Sequence, residues 1–204
     1  MPTKTAPKPP RPRRTSAETR DHVLTVAGEL FYWEGIHATG IDRVAAKAEV
    51  APTTLYRLFA SKDDLVGAYV EHSAGLYRQW LEAATAPAVG GPRERIVGLF
   101  RAMAEVVRPE LCRGCPFLMA LAEFPDPGSA AHAHAVEVKA WVRDLLRGLT
   151  AELAATRRLS DPDALADQLA LVMEGVYGSV QALGPDGPAA RAATAAAALI
   201  DAAA

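Results

Sequence analysis

Residues 39–65 read TGIDRVAAKAEVAPTTLYRLFASKDDL. Ile41, Val44, Ala45 and Ala48 recur at helical spacing and give a short helix one apolar side. The run Glu49-Val50-Ala51 interrupts that helix. Pro52 suits the first position of a new one, where a missing N–H leaves nothing unsatisfied. On the second helix Leu55 and Phe59 fall inward, which turns Thr53, Thr54, Tyr56 and Arg57 largely outward. Ser61 is placed to cap a further helix, with Asp63 and Asp64 in its first turn, where the helix dipole favours negative charge. The pattern is a helix-turn-helix whose outer face carries hydroxyl and guanidinium groups suited to phosphates and base edges.

This stretch resembles the DNA-binding domain of TetR-type transcriptional regulators, whose pattern runs roughly T-x-x-x-I-A-x-x-A-G-V-s-x-x-t-L-Y-x-h-F-x-s-K-x-x-L. Thr39, Val44, Ala45, Ala48, Val50, Thr54, Leu55, Tyr56, Phe59, Ser61, Lys62 and Leu65 fall in register. Two positions depart from it. Glu49 stands where the family usually has a turn glycine, and a left-handed conformation there costs a non-glycine residue roughly 1 kcal/mol. Leu58 stands where a polar residue, often His, touches the DNA backbone. The resemblance implies a double-stranded DNA operator as partner, contacted from Thr39, Thr53, Thr54, Tyr56 and Arg57, with Lys62 on a phosphate.

The rest of the chain fits an all-α protein. Half of its 204 residues are hydrophobic, enough for a core, and no alternating β-branched segment of strand length occurs. The net charge of −2 conceals an asymmetry: residues 1–62 hold 10 Lys+Arg against 6 Asp+Glu, and residues 63–204 hold 12 against 18. A basic first third with an acidic remainder suits nucleic-acid binding at one end. No apolar signal core, membrane-spanning run or disulfide framework is evident, and the expected location is the cytoplasm, with no membrane partner.

Three segments are expected: a disordered basic arm over 1–14, the DNA-binding unit over 15–62, and a ligand-binding and dimerisation bundle over 63–204. The arm holds five basic groups, five prolines and no acid, and reads as a solvated tail or a minor-groove arm. Thr15 or Ser16 caps the first helix, and Gly35 ends it. A long helix over 61–85 has Leu65, Ala68, Tyr69, Leu76 and Trp80 near one face, and the family resemblance makes it the lever between ligand and DNA. Further helices are expected over 93–107, a short one carrying Phe117, Leu118, Leu121 and Phe124, one from Ser129 to about Thr156 with Val136, Trp141, Leu145 and Leu149 inward, and one over 161–183.

Cys112-Arg113-Gly114-Cys115 has the spacing of a redox pair or half a metal site. His132 and His134 are the nearest extra ligands, but residues two apart on a helix point to different sides, so no metal, cofactor or catalytic residue is assigned. The thiols are structural or, alternatively, make the chain a thiol-based redox-responsive regulator or a helical redox protein using Cys112 and Cys115. No phosphate loop or nucleophile elbow appears, and the chain is not expected to be an enzyme. The helix over 161–183 is apolar around most of its circumference, with Leu171, Gly175, Gly178 and Ala182 forming a small-residue stripe. With the alanine-rich last helix it would pack against its twin in a homodimer, or else finish a monomeric bundle. The function that the family resemblance implies is a ligand-responsive regulator, acting as a repressor on a pseudo-palindromic operator and released by a small-molecule effector. Candidate pocket residues are Trp80, Phe100, Met103, Phe117, Trp141, Met173 and Tyr177, with Glu123 and Gln181 as polar members.

Overall fold

The computed structural model describes residues 14–204, so the basic arm apart from Arg14 lies outside the described residues. Among those described the fold is all-helical: α1 Ser16–Glu34, α2 Ile41–Lys47, α3 Pro52–Leu58, α4 Lys62–Ala84, α5 Pro92–Val106, α6 Pro116–Glu123, α7 Ala130–Thr156, α8 Pro162–Leu183 and α9 Ala192–Ala202. None of these helices is long and apolar enough to cross a membrane.

Helix starts follow from local chemistry. Thr15 Oγ1 accepts from Glu18 N at 3.2 Å while the Glu18 carboxylate accepts from Thr15 N at 2.7 Å, a reciprocal capping box. Ser61, Ser129 and Asp161 accept in the same way from Asp64, His132 and Ala164, and α3, α5, α6 and α8 open on proline. Glu49, in the turn between α2 and α3, has φ 53°, alone among the described non-glycine residues in being positive. The left-handed conformation that the turn demands is thus held by a residue with a Cβ. Glu49→Gly is expected to raise stability by at most about 1 kcal/mol, read as a higher denaturant midpoint at unchanged slope.

Two buried clusters organise the packing. The first joins α1–α3 to the first half of α4, to Phe117 and Ala120 of α6, and to Ala131, Ala135 and Val138 of α7. The second fills the space among α5, α7, α8 and α9 around Leu99, Phe100, Met103, Leu146 and Leu169. Helix α4 packs most extensively on α7, α7 on α8, and α5 on α9. The α4–α7 seam is close enough that a Cβ at Gly67 would lie 2.9 Å from the Ala130 Cβ, so glycine is what lets the helices meet there. Arg95, nearly buried, ties the bundle together by donating from Nε to the Thr85 carbonyl at 2.6 Å and from Nη1 to Glu152.

Three expected inward positions are exposed instead: Leu76, Leu118 and Val136. The buried stripe of α7 runs through Ala131, Ala135, Val138, Val142, Leu146, Leu149 and Leu153. Its seam is set by small alanines against α4, and Val136 falls beside it rather than in it.

Candidate functional site

The reading head is built from α1–α3. Leu55 is fully buried and Phe59 nearly so, and they seat α3 on α1 and α2. Thr53 and Arg57 are therefore exposed, Thr54 is half-buried, and Tyr56 keeps 53% of its surface accessible. Arg57 makes no hydrogen bond or ion pair with any described residue, so its guanidinium is available to an outside acceptor. Lys62 is half-buried and donates from Nζ to the His37 carbonyl at 3.2 Å. Leu58 is half-buried against the head's core, consistent with its apolar side chain. His22 braces the head from within: its Nε2 lies 3.0 Å from the Ala48 carbonyl. A carbonyl only accepts, so Nε2 carries the proton.

Thr39 requires correction. It is wholly buried, and its hydroxyl donates to the Gly35 carbonyl at 2.8 Å. Its work is to close the α1–α2 turn, and no surface of it remains for DNA.

Two joints fasten the head to α6. At the start of α6, the Tyr32 hydroxyl accepts from Arg113 N at 2.6 Å and Gly114 N at 3.1 Å and donates to the Gly114 carbonyl at 2.8 Å. The Cys112 Sγ lies 3.4 Å from the same hydroxyl. At the other end, the Glu123 carboxylate accepts from Ile36 N at 3.1 Å and His37 N at 2.8 Å, and His37 stacks on Phe124 with ring centroids 4.8 Å apart. Both cysteines are free and buried. The two histidines considered with them have other partners: His132 Nδ1 lies 2.9 Å from the Phe124 carbonyl, and His134 faces Glu137 at 3.9 Å. Among the described residues no group of three or more His, Cys, Asp or Glu side chains could hold a metal ion.

Between the joints and the body lies a cavity of about 380 Å³. Tyr32 and Trp33 of α1, Tyr69 and Tyr77 of α4, Phe117 of α6 and Tyr177 of α8 supply its aromatic walls, with Glu29, Ser73 and Cys115 as further members. The rings brace one another: Tyr77 lies 5.5 Å from Phe117 and 6.4 Å from Tyr177 between centroids, and the Tyr177 hydroxyl donates to that of Tyr77 at 3.4 Å. Burial pushes the Tyr69 hydroxyl up to about 12. The hydroxyls of Tyr32, Tyr77 and Tyr177 are also raised, with burial as the largest cause in each. All four stay protonated and neutral near pH 7.

Of the nine expected pocket residues, Phe117 and Tyr177 line this cavity and seven do not. Phe100, Met103 and Met173 are buried in the second core, with the Met173 sulfur accepting from the Tyr77 hydroxyl. Trp80 stacks on Tyr77, and Trp141 lies under the Arg78 guanidinium. Glu123 is committed to the α1–α2 turn, as above. Gln181 donates to the carbonyls of Pro109 and Cys112 and so pins the loop before α6. Sequence reasoning missed Tyr32, Trp33, Tyr69 and Tyr77 as cavity walls. The available signal was chemical and not periodic, since Tyr and Trp rings with polar edges suit a half-wet surface better than a dry core.

Two family models match the chain. One is described as bacterial regulatory proteins, tetR family, over residues 23–69, and the other as tetracyclin repressor-like, C-terminal domain, over residues 92–196. The chain is 26% identical over 156 residues to the HTH-type transcriptional regulator YjdC of Escherichia coli (strain K12), spanning 76% of this chain and 80% of that protein. The crystal structure of SCO4454, a TetR-family transcriptional regulator from Streptomyces coelicolor, matches with a TM-score of 0.83 at 29% identity, over 92% of this chain and 96% of that one. A TetR transcriptional regulator from Chloroflexus aurantiacus J-10-FL matches with a TM-score of 0.77 at 26% identity, over 91% and 96%. A capped helix-turn-helix head on an all-helical body, matched at both ends by these models, makes the chain a member of the TetR family of bacterial transcriptional regulators.

Proposed function

We propose that the protein is a ligand-responsive repressor that binds a pseudo-palindromic operator as a homodimer and leaves it when a small molecule occupies the C-terminal body. The observation that carries this reading is the outer face of α3, where Thr53, Tyr56 and Arg57 are exposed over a buried Leu55. Each α3 would enter one major groove, and Lys62 would turn from the His37 carbonyl to a phosphate. Electrophoretic mobility with DNA flanking the protein's own gene tests it. Binding is expected at low salt and weakens steeply as salt rises, because phosphate contacts release counterions. A folded dimer that shifts no such fragment at low salt would end the reading.

Support for the dimer comes from α8. Leu171 is 72% exposed, and the space over Gly175 and Gly178 is open. With the exposed Ala182 these groups form a face made mostly of small residues, on which a second copy would lie closely, giving four helices across a two-fold axis. Gly175→Glu is expected to put a charge into that seam and yield monomers in sedimentation velocity. Operator affinity should then fall by roughly a hundredfold, since two tethered heads gain from effective concentration. A variant that stays dimeric would place the interface elsewhere.

A further inference from the structure

The cavity between α1, α4, α6 and α8 has a chemistry that selects among ligands. At about 380 Å³ it is of small-molecule size. Six of its lining residues are aromatic: Tyr32, Trp33, Tyr69, Tyr77, Phe117 and Tyr177. Aromatic faces carry the negative part of the ring quadrupole and attract cations placed over them. One lining residue is acidic, the exposed Glu29, and none is Lys, Arg or His. The neighbouring Arg113 forms no ion pair with it among the described residues; its guanidinium donates to the Tyr32 carbonyl at 2.9 Å and is not part of the lining. An anion entering here would meet aromatic rings and a like charge at Glu29. A neutral hydrocarbon would gain burial but leave Glu29 unused.

We propose that this cavity is the effector site and that it takes an apolar organic cation, its hydrocarbon body among the six rings and its positive charge beside Glu29. The proposal rests on the ligand-responsive reading above and adds the ligand's class. It also places the ligand against Tyr32, which is at once a wall of the cavity and the joint between head and α6.

Three probes of one shape separate the possibilities: N-methylquinolinium, its neutral isostere 1-methylnaphthalene, and the anion 1-naphthoate. Each is titrated calorimetrically into the full-length protein. The cation is expected to bind about tenfold more tightly than the isostere, and the anion least well. Glu29→Gln, at an exposed position that the fold does not depend on, should weaken the cation by about threefold and leave the isostere unaffected. Equal binding of cation and isostere, preference for the anion, indifference to Glu29→Gln, or binding of none of the three would each overturn the assignment. The same preparation is tested for operator binding without any probe. Operator bound without cation selectivity sinks this assignment and leaves the regulator standing; cation selectivity without operator binding does the reverse.

Discussion

Arg57→Ala is expected to lower operator affinity by about tenfold to a hundredfold, the range for loss of one good base or phosphate contact. The structure makes this a clean test, because Arg57 has no partner among the described residues and its removal breaks nothing inside the head. The salt dependence then identifies the contact. If Arg57 reads a base, the loss is largest on the operator and small on scrambled DNA, with the slope of log affinity against log salt unchanged. If it grips a phosphate, both DNAs weaken alike and the slope becomes shallower by about one. Unchanged affinity on both would remove Arg57 from the interface and take the proposed orientation of α3 with it.

Phe100→Ala carries the other large effect, and it falls on stability. Phe100 is fully buried among Leu99, Met103 and the inner faces of α7, α8 and α9. Truncation leaves a cavity that neighbouring helices cannot collapse into, so a loss of about 4 kcal/mol is expected. For a chain of this length that corresponds to a fall in Tm on the order of 10 °C, measured by circular dichroism. A variant melting within about 2 °C of the wild type would mean that Phe100 borders open space, the pocket position that the sequence left open beside a core one.

The contrast between these two residues shows what was legible beforehand. Helix starts were legible because their causes are local: Thr15, Ser61, Ser129 and Asp161 cap from within three residues, and Pro52 and Pro162 fix first-turn geometry. The outward face of α3 was legible because Leu55 and Phe59 leave only one way to seat so short a helix. Even the strained turn at Glu49 showed, as a missing glycine. The cavity did not show. Tyr32, Tyr77, Phe117 and Tyr177 share no period, and what unites them is the approach of the 112–115 loop to α1, fixed by hydrogen bonds spanning some 80 residues of sequence. Thr39 was misassigned for a related reason: a motif position fixes the backbone, but only the Gly35 carbonyl four residues back decides where the hydroxyl points.

The shared cluster under α4 bears on how such a regulator could be given new DNA specificity. Leu65, Val66, Tyr69 and Val70 lie beyond Lys62 yet belong to the same buried group as Val23, Phe31 and Leu55. A head transplanted from another protein with its cut at Lys62 would arrive without its own floor, resting on side chains shaped for a different tenant. A chimera meant to fold must therefore carry the first three turns of α4 along with the graft, together with matching partners for Tyr32 and for the Ile36–His37 amides.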